Sequence, residues 1–348
     1  MTPDTAIPDS TANTVLLLTH QHDFYTLDRV ADALRARGAD PVRIDTDRFP
    51  LELAVQMQFV GDTLDATLHC GSRRIAASQV RAVWLRHFGA PDVGDAVDAQ
   101  FRAACNREAH LVMEGFLEAL PHARWLNPYR AVAPAEAKLR QLRVAQLAGL
   151  RIPATLVSNR ADPVLPFFES LPGGMVMKLQ APLSQSMDGS GPAFYTTALQ
   201  RGDLDDLSGL HTCPTLFQER IAKACELRVV YVAGRCFAGS LVARANANGR
   251  EGCDDWRAQR GLCWQNDALP PAVAACFGDF MQRMGLNFGA ADFIRTPDGE
   301  HVFLEVNPCG EWGMLERDLG LPIARAIADA LLDGPATCPL LARYLPSK

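Results

Sequence analysis

Alternating apolar and polar segments at the start of the chain predict a β-α-β unit. The apolar run at 14–18 indicates a buried strand, and the amphipathic pattern at 27–37 indicates a helix that ends at Gly38. A second strand is predicted at 40–45. This order of elements favours a parallel sheet with helices packed against it.

Further periodic segments extend this unit into a chain of several domains. The first region continues with strands at 54–59, 63–70 and 80–84 and a long helix at 96–120. A central region contains a helix at 135–149, a strand at 175–179 and a Ser- and Gly-rich loop at 181–192. We expect a disordered N-terminus at 1–13, an N-terminal α/β domain at 14–127, a central subdomain at 128–217 and a C-terminal subdomain at 218–348.

A predicted hairpin at 288–308 carries the most informative polar residues. With Asp298 and Gly299 as a two-residue loop, Asp292 lies directly opposite Glu305, and Asn307 points to the same face. Opposed carboxylates repel each other, so we expect a cation between them, and an all-oxygen donor set suits Mg²⁺. The alternative is an ordinary exposed acidic pair, because a register change of one residue would separate the two carboxylates.

Two further charged positions point to an anion. Lys178 lies in an apolar strand, where a lysine needs a partner, and the loop at 181–192 could enclose a phosphate with its backbone N–H groups. Such loops are also ordinary surface turns. Alternation over 226–232 places Glu226 and Arg228 on one strand face, where the arginine is either an ion-pair partner or a phosphate clamp.

Composition excludes several classes of protein. The 348 residues are 48% hydrophobic with a net charge of -6, which argues against a disordered chain and against a broad basic surface for nucleic acid. The polar, acidic residues 1–13 do not resemble a signal peptide, and no apolar run approaches the roughly 18 residues that cross a bilayer. We therefore expect a cytoplasmic protein without a membrane or nucleic-acid partner.

Three other patterns carry weaker signals. The 10 cysteines include no C-x-x-C pair and are expected to be reduced residues of the core. His20 and His22 are expected to line a loop rather than bind a metal. Gly-x-Gly-x-x-Gly is absent after the first strand, which argues against a dinucleotide site.

The order of the charged residues resembles the ATP-grasp superfamily of carboxylate ligases. The positions that carry this resemblance are Lys138, Lys178, Gln218-Glu219-Arg220-Ile221, Glu226, Arg228, Asp292, Glu305 and Asn307. The resemblance implies an α/β and α+β chain, in which an N-terminal α/β (pre-ATP-grasp) domain precedes two ATP-grasp subdomains that hold ATP between them.

A narrower resemblance is to the ATP-grasp ligases that make microviridins and other graspetides, peptides cross-linked by omega-esters or omega-amides. The similar segments are Arg43-Ile-Asp-Thr-Asp-Arg-Phe-Pro50, Val83-Trp-Leu-Arg86, Trp125-Leu-Asn-Pro128, Lys223-Ala-Cys-Glu-Leu-Arg-Val229, Asp255-Trp-Arg257, Leu286-Asn-Phe-Gly-Ala290 and Leu304-Glu-Val-Asn-Pro308 with Trp312. Glu311 and Met314 depart from that pattern, which has Gln-Trp and a second aromatic, and this leaves the acceptor preference open.

The resemblance assigns a role to each site residue. It implies that Lys138 and Lys178 bind the ATP phosphates, that the segment 218–221 reads adenine through its backbone, and that Glu226 holds the ribose. The metal set Asp292, Glu305 and Asn307 would hold Mg²⁺, and Arg228 would steady first the γ-phosphate and then an acyl phosphate.

The resemblance also implies a peptide substrate. Asp or Glu side chains of a ribosomal precursor peptide, made of leader and core, would be joined to Ser or Thr hydroxyls or to a Lys amine of the same peptide. Asp255, Trp256, Arg257 and Glu311 are candidates for contacting the core, although the first three also fit a structural turn. A homodimer is expected. The alternatives are a ligase for amino acids, dipeptides or glutamate addition, and a nucleotide-binding regulatory scaffold without turnover.

Overall fold

The structure is a computed structural model that describes residues 13–23, 25–120, 122–180, 196–242 and 263–334. Its first region contains β1 (Thr14–Thr19), α1 (Thr26–Arg35), β2 (Asp40–Asp45), β3 (Leu53–Val60), β4 (Thr63–Cys70), β5 (Arg73–Ala76), β6 (Val80–Leu85), α2 (Ala99–Glu118) and β7 (Arg124–Trp125). A parallel sheet has the order β2-β1-β6-β7, and β3-β4-β5 form a separate antiparallel sheet. The predicted β-α-β unit is therefore present.

Side-chain alternation on β1 explains how this sheet is covered on both faces. Val15 and Leu17 share a core with α1, whereas Leu16 and Leu18 pack in the core that contains the buried side of α2. Gly38 adopts a φ of 77° just beyond α1, a left-handed conformation that glycine adopts without strain. Because β2 and β6 lie on opposite sides of β1, the strand order reverses between β1 and β6, which is the position where open α/β sheets form a crevice at the carboxyl ends of their strands.

The central region contains α3 (Tyr129–Ala135), α4 (Lys138–Leu147), β8 (Thr155–Ser158), α5 (Val164–Glu169), β9 (Met175–Lys178), β10 (Thr197–Leu199) and β11 (Thr215–Glu219). The strands form a sheet in the order β10-β9-β11-β8, so β11 extends across the expected boundary between 217 and 218. The helix predicted at 135–149 is present as α4, which begins three residues later and ends two residues earlier, whereas α3 was not predicted. Extended backbone at Ala137 separates α3 from α4.

The last region contains β12 (Cys225–Val232), β13 (Arg235–Val242), β14 (Gln265–Asp267), α6 (Pro271–Met284), β15 (Phe288–Arg295), β16 (His301–Asn307), α7 (Gly313–Leu319) and α8 (Ile323–Asp333). Its antiparallel sheet has the order β14-β13-β12-β15-β16. Phe277 and Phe280 of α6 pack against Phe293 and Phe303 on one face of this sheet. In the described residues no helix is both long and apolar enough to cross a membrane.

A shared core joins the first and last regions. Val230 and Phe288 of the C-terminal sheet, with Trp312 and the apolar side of α8, lie in the same cluster as α1 and β1. Trp84 of β6 meets Phe288 edge to face at a ring-centroid distance of 6.3 Å. The two regions are therefore packed against each other as parts of one continuous core.

The expectation for the cysteines was correct only in part. The cysteines within the described residues are free thiols, but only two of them, Cys225 and Cys309, are buried, whereas Cys213, Cys236 and Cys263 are exposed. Burial raises the pKa of the Cys309 thiol to about 12, so this side chain remains protonated at neutral pH.

Candidate active site

The hairpin of β15 and β16 places the predicted acidic pair face to face. Asp292 pairs with Glu305, and Ala290 pairs with Asn307. The loop of the hairpin is one residue longer than the sequence predicts, because the backbone N–H of Thr296 donates to the carbonyl of Glu300. A second irregularity, in which Leu304 is the extra residue on β16, restores the expected pairing of the two carboxylates.

Each carboxylate of this pair lies beside a cation of the protein. The guanidinium of Arg228, on the neighbouring strand β12, is 2.8 Å from Asp292 Oδ1, and both side chains are buried. The ammonium of Lys138 is 3.2 Å from Glu305 Oε2. Arg228 and Lys138 therefore offset the repulsion that the sequence argument assigned to a bound metal.

Helix α4 brings Lys138 to the hairpin and is held there by a buried amide. Gln141 donates from Nε2 to the carbonyl of Val306 at 2.8 Å and accepts the Val306 N–H at 2.9 Å. It thereby completes the edge of β16 as a neighbouring strand would. Lys138 also donates to the carbonyl of Leu179 at 3.0 Å, which ties the end of β9 to the same place.

A cleft lies between the central and C-terminal sheets and contains most of the predicted nucleotide residues. Its lining residues are Pro153, Val176, Lys178, Thr196, Gln218, Glu219, Arg220, Ile221, Lys223, Ile294 and Leu304. Ile294 and Leu304 form an apolar wall beside the acidic pair. A wider groove on the opposite face of the C-terminal sheet, along α6, contains none of the predicted site residues.

The segment at the end of β11 contributes backbone groups to this cleft. The N–H of Glu219 is bound to the carbonyl of Ala154, and that of Arg220 to the carbonyl of Gly174, both at 2.9 Å. Gln218 is buried and donates to Thr155 Oγ1 at 3.0 Å. Of the predicted adenine-reading amides, the N–H of Ile221 is therefore the best candidate for a ligand.

The remaining predicted polar residues lie around the same cleft. Glu226, at the start of β12, is 2.7 Å from the ammonium of Lys223, and the exposed fractions of both side chains are low. Lys178 ends β9 and is partly exposed, rather than central in its strand as the sequence suggested. The structure thus brings Lys138 and Arg228 into contact with the acidic hairpin, and Lys178 lines the same cleft as Leu304 of that hairpin.

Glu311 lies in the turn that follows β16. Its carboxylate is 2.6 Å from Arg86 Nη2 and accepts the backbone N–H groups of Trp312 and Gly313. Its backbone carbonyl accepts two hydrogen bonds from Arg228, at 3.2 and 3.0 Å. Asp255, Trp256 and Arg257, together with the loop at 181–192, lie outside the described residues.

The donor set of the hairpin fits a magnesium ion. Two carboxylates and the Asn307 amide lie on one face, and the described residues include no group of three His, Cys, Asp or Glu side chains arranged for a metal. Mg²⁺ is bound through one or two carboxylates, with phosphates and water completing its octahedral shell. Asp292, Glu305 and Asn307 are the residues that would hold it.

Sequence reasoning missed the buried polar residues that position this site. Asn127 donates to the carbonyls of Phe288 and Pro308, and its oxygen accepts the N–H groups of Asn287 and Phe288. Gln141 holds β16 in the same way. Both residues are only 2% exposed, and a polar side chain inside an apolar pattern is the one sequence signal that could have marked them.

Comparisons with known proteins support this fold. A family model described as the MvdD pre-ATP grasp domain matches residues 14–133. The solved structure of the macrocyclase MdnB from Microcystis aeruginosa MRC is 44% identical, with a TM-score of 0.79, and the match covers 92% of this chain and all of that one. No curated protein sequence matches the chain.

Two further structures are similar over nearly the same length. The macrocyclase MdnC, bound with the precursor peptide MdnA from Microcystis aeruginosa MRC, is 33% identical with a TM-score of 0.80, over 92% of this chain and 99% of that one. A RiPP-associated ATP-grasp ligase of Chryseobacterium gregarium, in complex with ADP and a leader and core peptide, is 26% identical with a TM-score of 0.83, over 92% and 97%.

The parallel N-terminal domain, the cleft between two antiparallel sheets and the acidic hairpin define an ATP-grasp ligase. The similarity to MdnB, at 44% identity over 92% of the chain, identifies the family more narrowly. The chain belongs to the family of ATP-grasp macrocyclases that modify ribosomally synthesised peptides. The alternative of a nucleotide-binding regulatory scaffold that does not turn over ATP is therefore not supported.

Proposed function

We propose that this ligase uses ATP and Mg²⁺ to activate Asp or Glu side chains of a ribosomal precursor peptide and then closes ester or amide cross-links within that peptide. The observation that carries the proposal is that Lys138 and Arg228 contact the carboxylates of the acidic hairpin, while Lys178 lines the adjoining cleft. The similar macrocyclase MdnC is bound to its precursor peptide MdnA, which supports a peptide as the substrate.

The cleft supports a binding mode for ATP. Ile294 and Leu304 would pack against adenine, and the Ile221 N–H would donate to its edge. Glu226 would accept the ribose hydroxyls, while Lys138 and Lys178 would bind the phosphates as cations. Mg²⁺ held by the hairpin carboxylates and Asn307 would neutralise charge on the β- and γ-phosphates.

The first chemical step is phosphoryl transfer. A carboxylate oxygen of the peptide forms a bond to the γ-phosphorus, the bond from that phosphorus to the β–γ bridging oxygen breaks, and ADP leaves with the bond electrons. Arg228 would stabilise the negative charge of the transferred group, because its guanidinium is rigidly held and permanently charged. The product is an acyl phosphate of the peptide.

The second step closes the ring. A Ser or Thr hydroxyl, or a Lys amine, attacks the acyl carbon, phosphate leaves, and the proton of the nucleophile passes to phosphate or solvent. The peptide loses one water in total, and ATP becomes ADP and phosphate. Asp255, Trp256, Arg257 and Glu311 would contact the core peptide.

We also propose that the protein is a homodimer and that it acts in the cytoplasm. Large exposed apolar side chains are concentrated on β3, β4 and α2, namely Phe59, Val60, Leu64, Phe101, Leu111 and Val112. Contiguous exposed apolar patches mark surfaces between proteins, and we infer that these side chains contribute to the dimer interface. Light scattering of the purified protein, with Phe59→Lys as the disrupting variant, tests this point.

The experiment that tests the activity is mass spectrometry of a candidate precursor, encoded by a neighbouring short reading frame, after incubation with the enzyme, ATP and Mg²⁺. We expect one water to be lost for each cross-link, and fragmentation distinguishes an ester from an amide. An unchanged peptide mass, with ADP released on free amino acids or dipeptides, would establish the small-substrate ligase instead.

A further inference from the structure

We propose that Arg86 of the N-terminal domain is a positioning residue for the catalytic Arg228, acting through the turn at 308–312. This inference rests on the proposed function, because it assigns Arg86 a role only in the step in which Arg228 steadies the transferred phosphoryl group. Arg86 and Glu311 are 225 residues apart in the chain, so no local pattern connects them.

Arg86 is placed at the switch point of the parallel sheet. It directly follows β6, and its backbone N–H still donates to the carbonyl of Leu18 on β1 at 2.9 Å. The crevice at the carboxyl ends of such strands is where open α/β sheets bind ligands. Here the guanidinium of Arg86 contacts the turn at 308–312 of the C-terminal region instead.

The side chain of Arg86 is too buried to touch a substrate. It is only 3% exposed, and it donates to the carbonyl of Cys309 and to the Glu311 carboxylate. Asp23, which accepts a hydrogen bond from Thr19 Oγ1, lies 3.7 Å from the same guanidinium. A buried charge with this set of partners stabilises one arrangement of the turn and disfavours others.

The turn at 308–312 orients the side chain of Arg228. The Glu311 carbonyl accepts hydrogen bonds from Nε and Nη2 of Arg228, which leaves Nη1 to bind Asp292. Gly310 lies tightly against this group, since a Cβ there would be 3.0 Å from Arg228 Nη2 and 2.5 Å from the Ala290 Cβ. The chain of contacts therefore runs from Arg86 to the turn, and from the turn to the guanidinium that meets the γ-phosphate.

The principal variant is Arg86→Lys, which keeps the charge and loses the two-pronged donor. We expect kcat for cross-linking to fall about 10- to 100-fold, the effect of a misplaced catalytic group, with the KM for ATP within about threefold of wild type. The matched control is Arg124→Lys. Arg124 belongs to the same sheet but donates to the Leu331 carbonyl of α8 at 3.1 Å instead of to the turn, so its replacement should leave kcat unchanged.

A double-mutant cycle separates positioning from general destabilisation. If Arg86 acts through Arg228, adding Arg86→Lys to Arg228→Lys should lower kcat by less than about threefold, because coupled sites are not additive. Fully multiplicative losses, an unchanged kcat in Arg86→Lys, or an equal loss in Arg124→Lys would overturn the inference.

A second variant keeps the test informative if Arg86→Lys fails to fold. Glu311→Gln removes the ion pair with Arg86 but retains an acceptor for Trp312 and Gly313. Positioning predicts a lower kcat, whatever the effect on the KM for the peptide that Glu311 is proposed to contact, whereas a raised peptide KM with an unchanged kcat would overturn the role assigned to the turn. If wild-type enzyme leaves the precursor mass unchanged, the proposed function fails separately, and the same comparison is made on ADP release.

Discussion

Asp292 lies directly opposite Glu305, although the hairpin that joins their strands has one residue more in its loop than its sequence predicts. The loop is 297–299, with Gly299 at a φ of 91°. The extra loop residue alone would shift the pairing by one and separate the carboxylates. The bulge at Leu304 shifts it back, so the two irregularities offset each other.

The bulge also explains why neighbouring side chains of β16 reach the same cleft. Phe303 and Val306 pack in the core on one side of the sheet, whereas Leu304 lines the cleft and Glu305 meets Lys138. A strictly alternating strand would point Leu304 and Glu305 to opposite faces. The bulge therefore lets one strand supply both the side chain that we propose packs against adenine and the carboxylate that we propose binds the metal.

Replacement of either Glu305 or Asn307 by alanine is expected to abolish turnover, lowering kcat about 100-fold or more, because charge on the phosphates is then not neutralised. Replacement of Asp292 would be less informative, because removing one partner of its buried ion pair with Arg228 costs about 3–5 kcal/mol of stability. ADP release at saturating ATP and Mg²⁺ is the measurement.

The control for this experiment is Glu300→Ala on the same hairpin. Glu300 is paired with Arg151 and is half exposed, so its loss should leave kcat unchanged. Normal activity in Glu305→Ala and Asn307→Ala, with both proteins folded, would refute the metal assignment.

Leu304→Ala is expected to weaken ATP binding. Removing most of a partly buried leucine side chain loses about 1.5 kcal/mol of apolar contact, so the KM for ATP should rise about tenfold while kcat changes less. Leu147→Ala, which truncates an exposed leucine of α4, serves as the comparison and should change neither constant. Equal KM values for ATP in the two variants would place adenine elsewhere.

Gly310→Ala and Gly278→Ala are expected to act in opposite directions. The Cβ at position 310 would collide with Ala290 and Arg228, so this variant should lose about 1–3 kcal/mol of stability and much of its activity. The Cβ at position 278 meets nothing within 4 Å, and alanine should stabilise α6 by about 0.5–1 kcal/mol. Urea unfolding measures both, and a neutral Gly310→Ala would mean that the turn can move.

Acid is expected to destabilise the protein partly through His87. Burial, with Arg86 and His20 nearby, lowers the pKa of His87 to about 3, although Glu311 acts in the opposite direction. An unfolded histidine titrates near 6.5, so the unfolded chain binds the proton first. The contribution of His87 is therefore complete above about pH 6.5 and declines as the pH falls toward 3.

The measurement is urea unfolding at about pH 7 and about pH 5 for wild type and His87→Gln. The variant should lose about 2 kcal/mol less stability between the two conditions, since a proton is no longer taken up at this position on unfolding. Desolvation also lowers the pKa of His301, but that residue is present in both proteins. Parallel curves for the two proteins would contradict the prediction.

Local patterns along the chain were enough to predict most of the elements. The strand at 40–45 has the same bounds in the structure, and α1 begins one residue before the predicted helix. The helix predicted to start at 135 starts three residues later in the structure, a difference that local preference does not show, because the alanines that precede Lys138 favour helix. Extended backbone at Ala137 makes Lys138 the first residue of α4, with Gln141 one turn later bound to β16. Tertiary contact therefore overrides local preference at this point.

The features of the candidate site also divide into those that the sequence predicted and those that only the tertiary structure revealed. Alternation shows which side chains share a strand face, and this made Arg228 and the acidic hairpin residues readable in the sequence. Lys178 was marked by its place in an apolar strand, and the role of Lys138 came from the family resemblance. The bulge at Leu304, the buried amides of Asn127 and Gln141, and the contact of Arg86 with the turn at 308–312 were not readable in the sequence. Each of these features depends on hydrogen bonds between groups that are far apart in the chain. Such bonds form only after the apolar cores have packed, and the pattern of residues along the chain does not show which distant groups will meet.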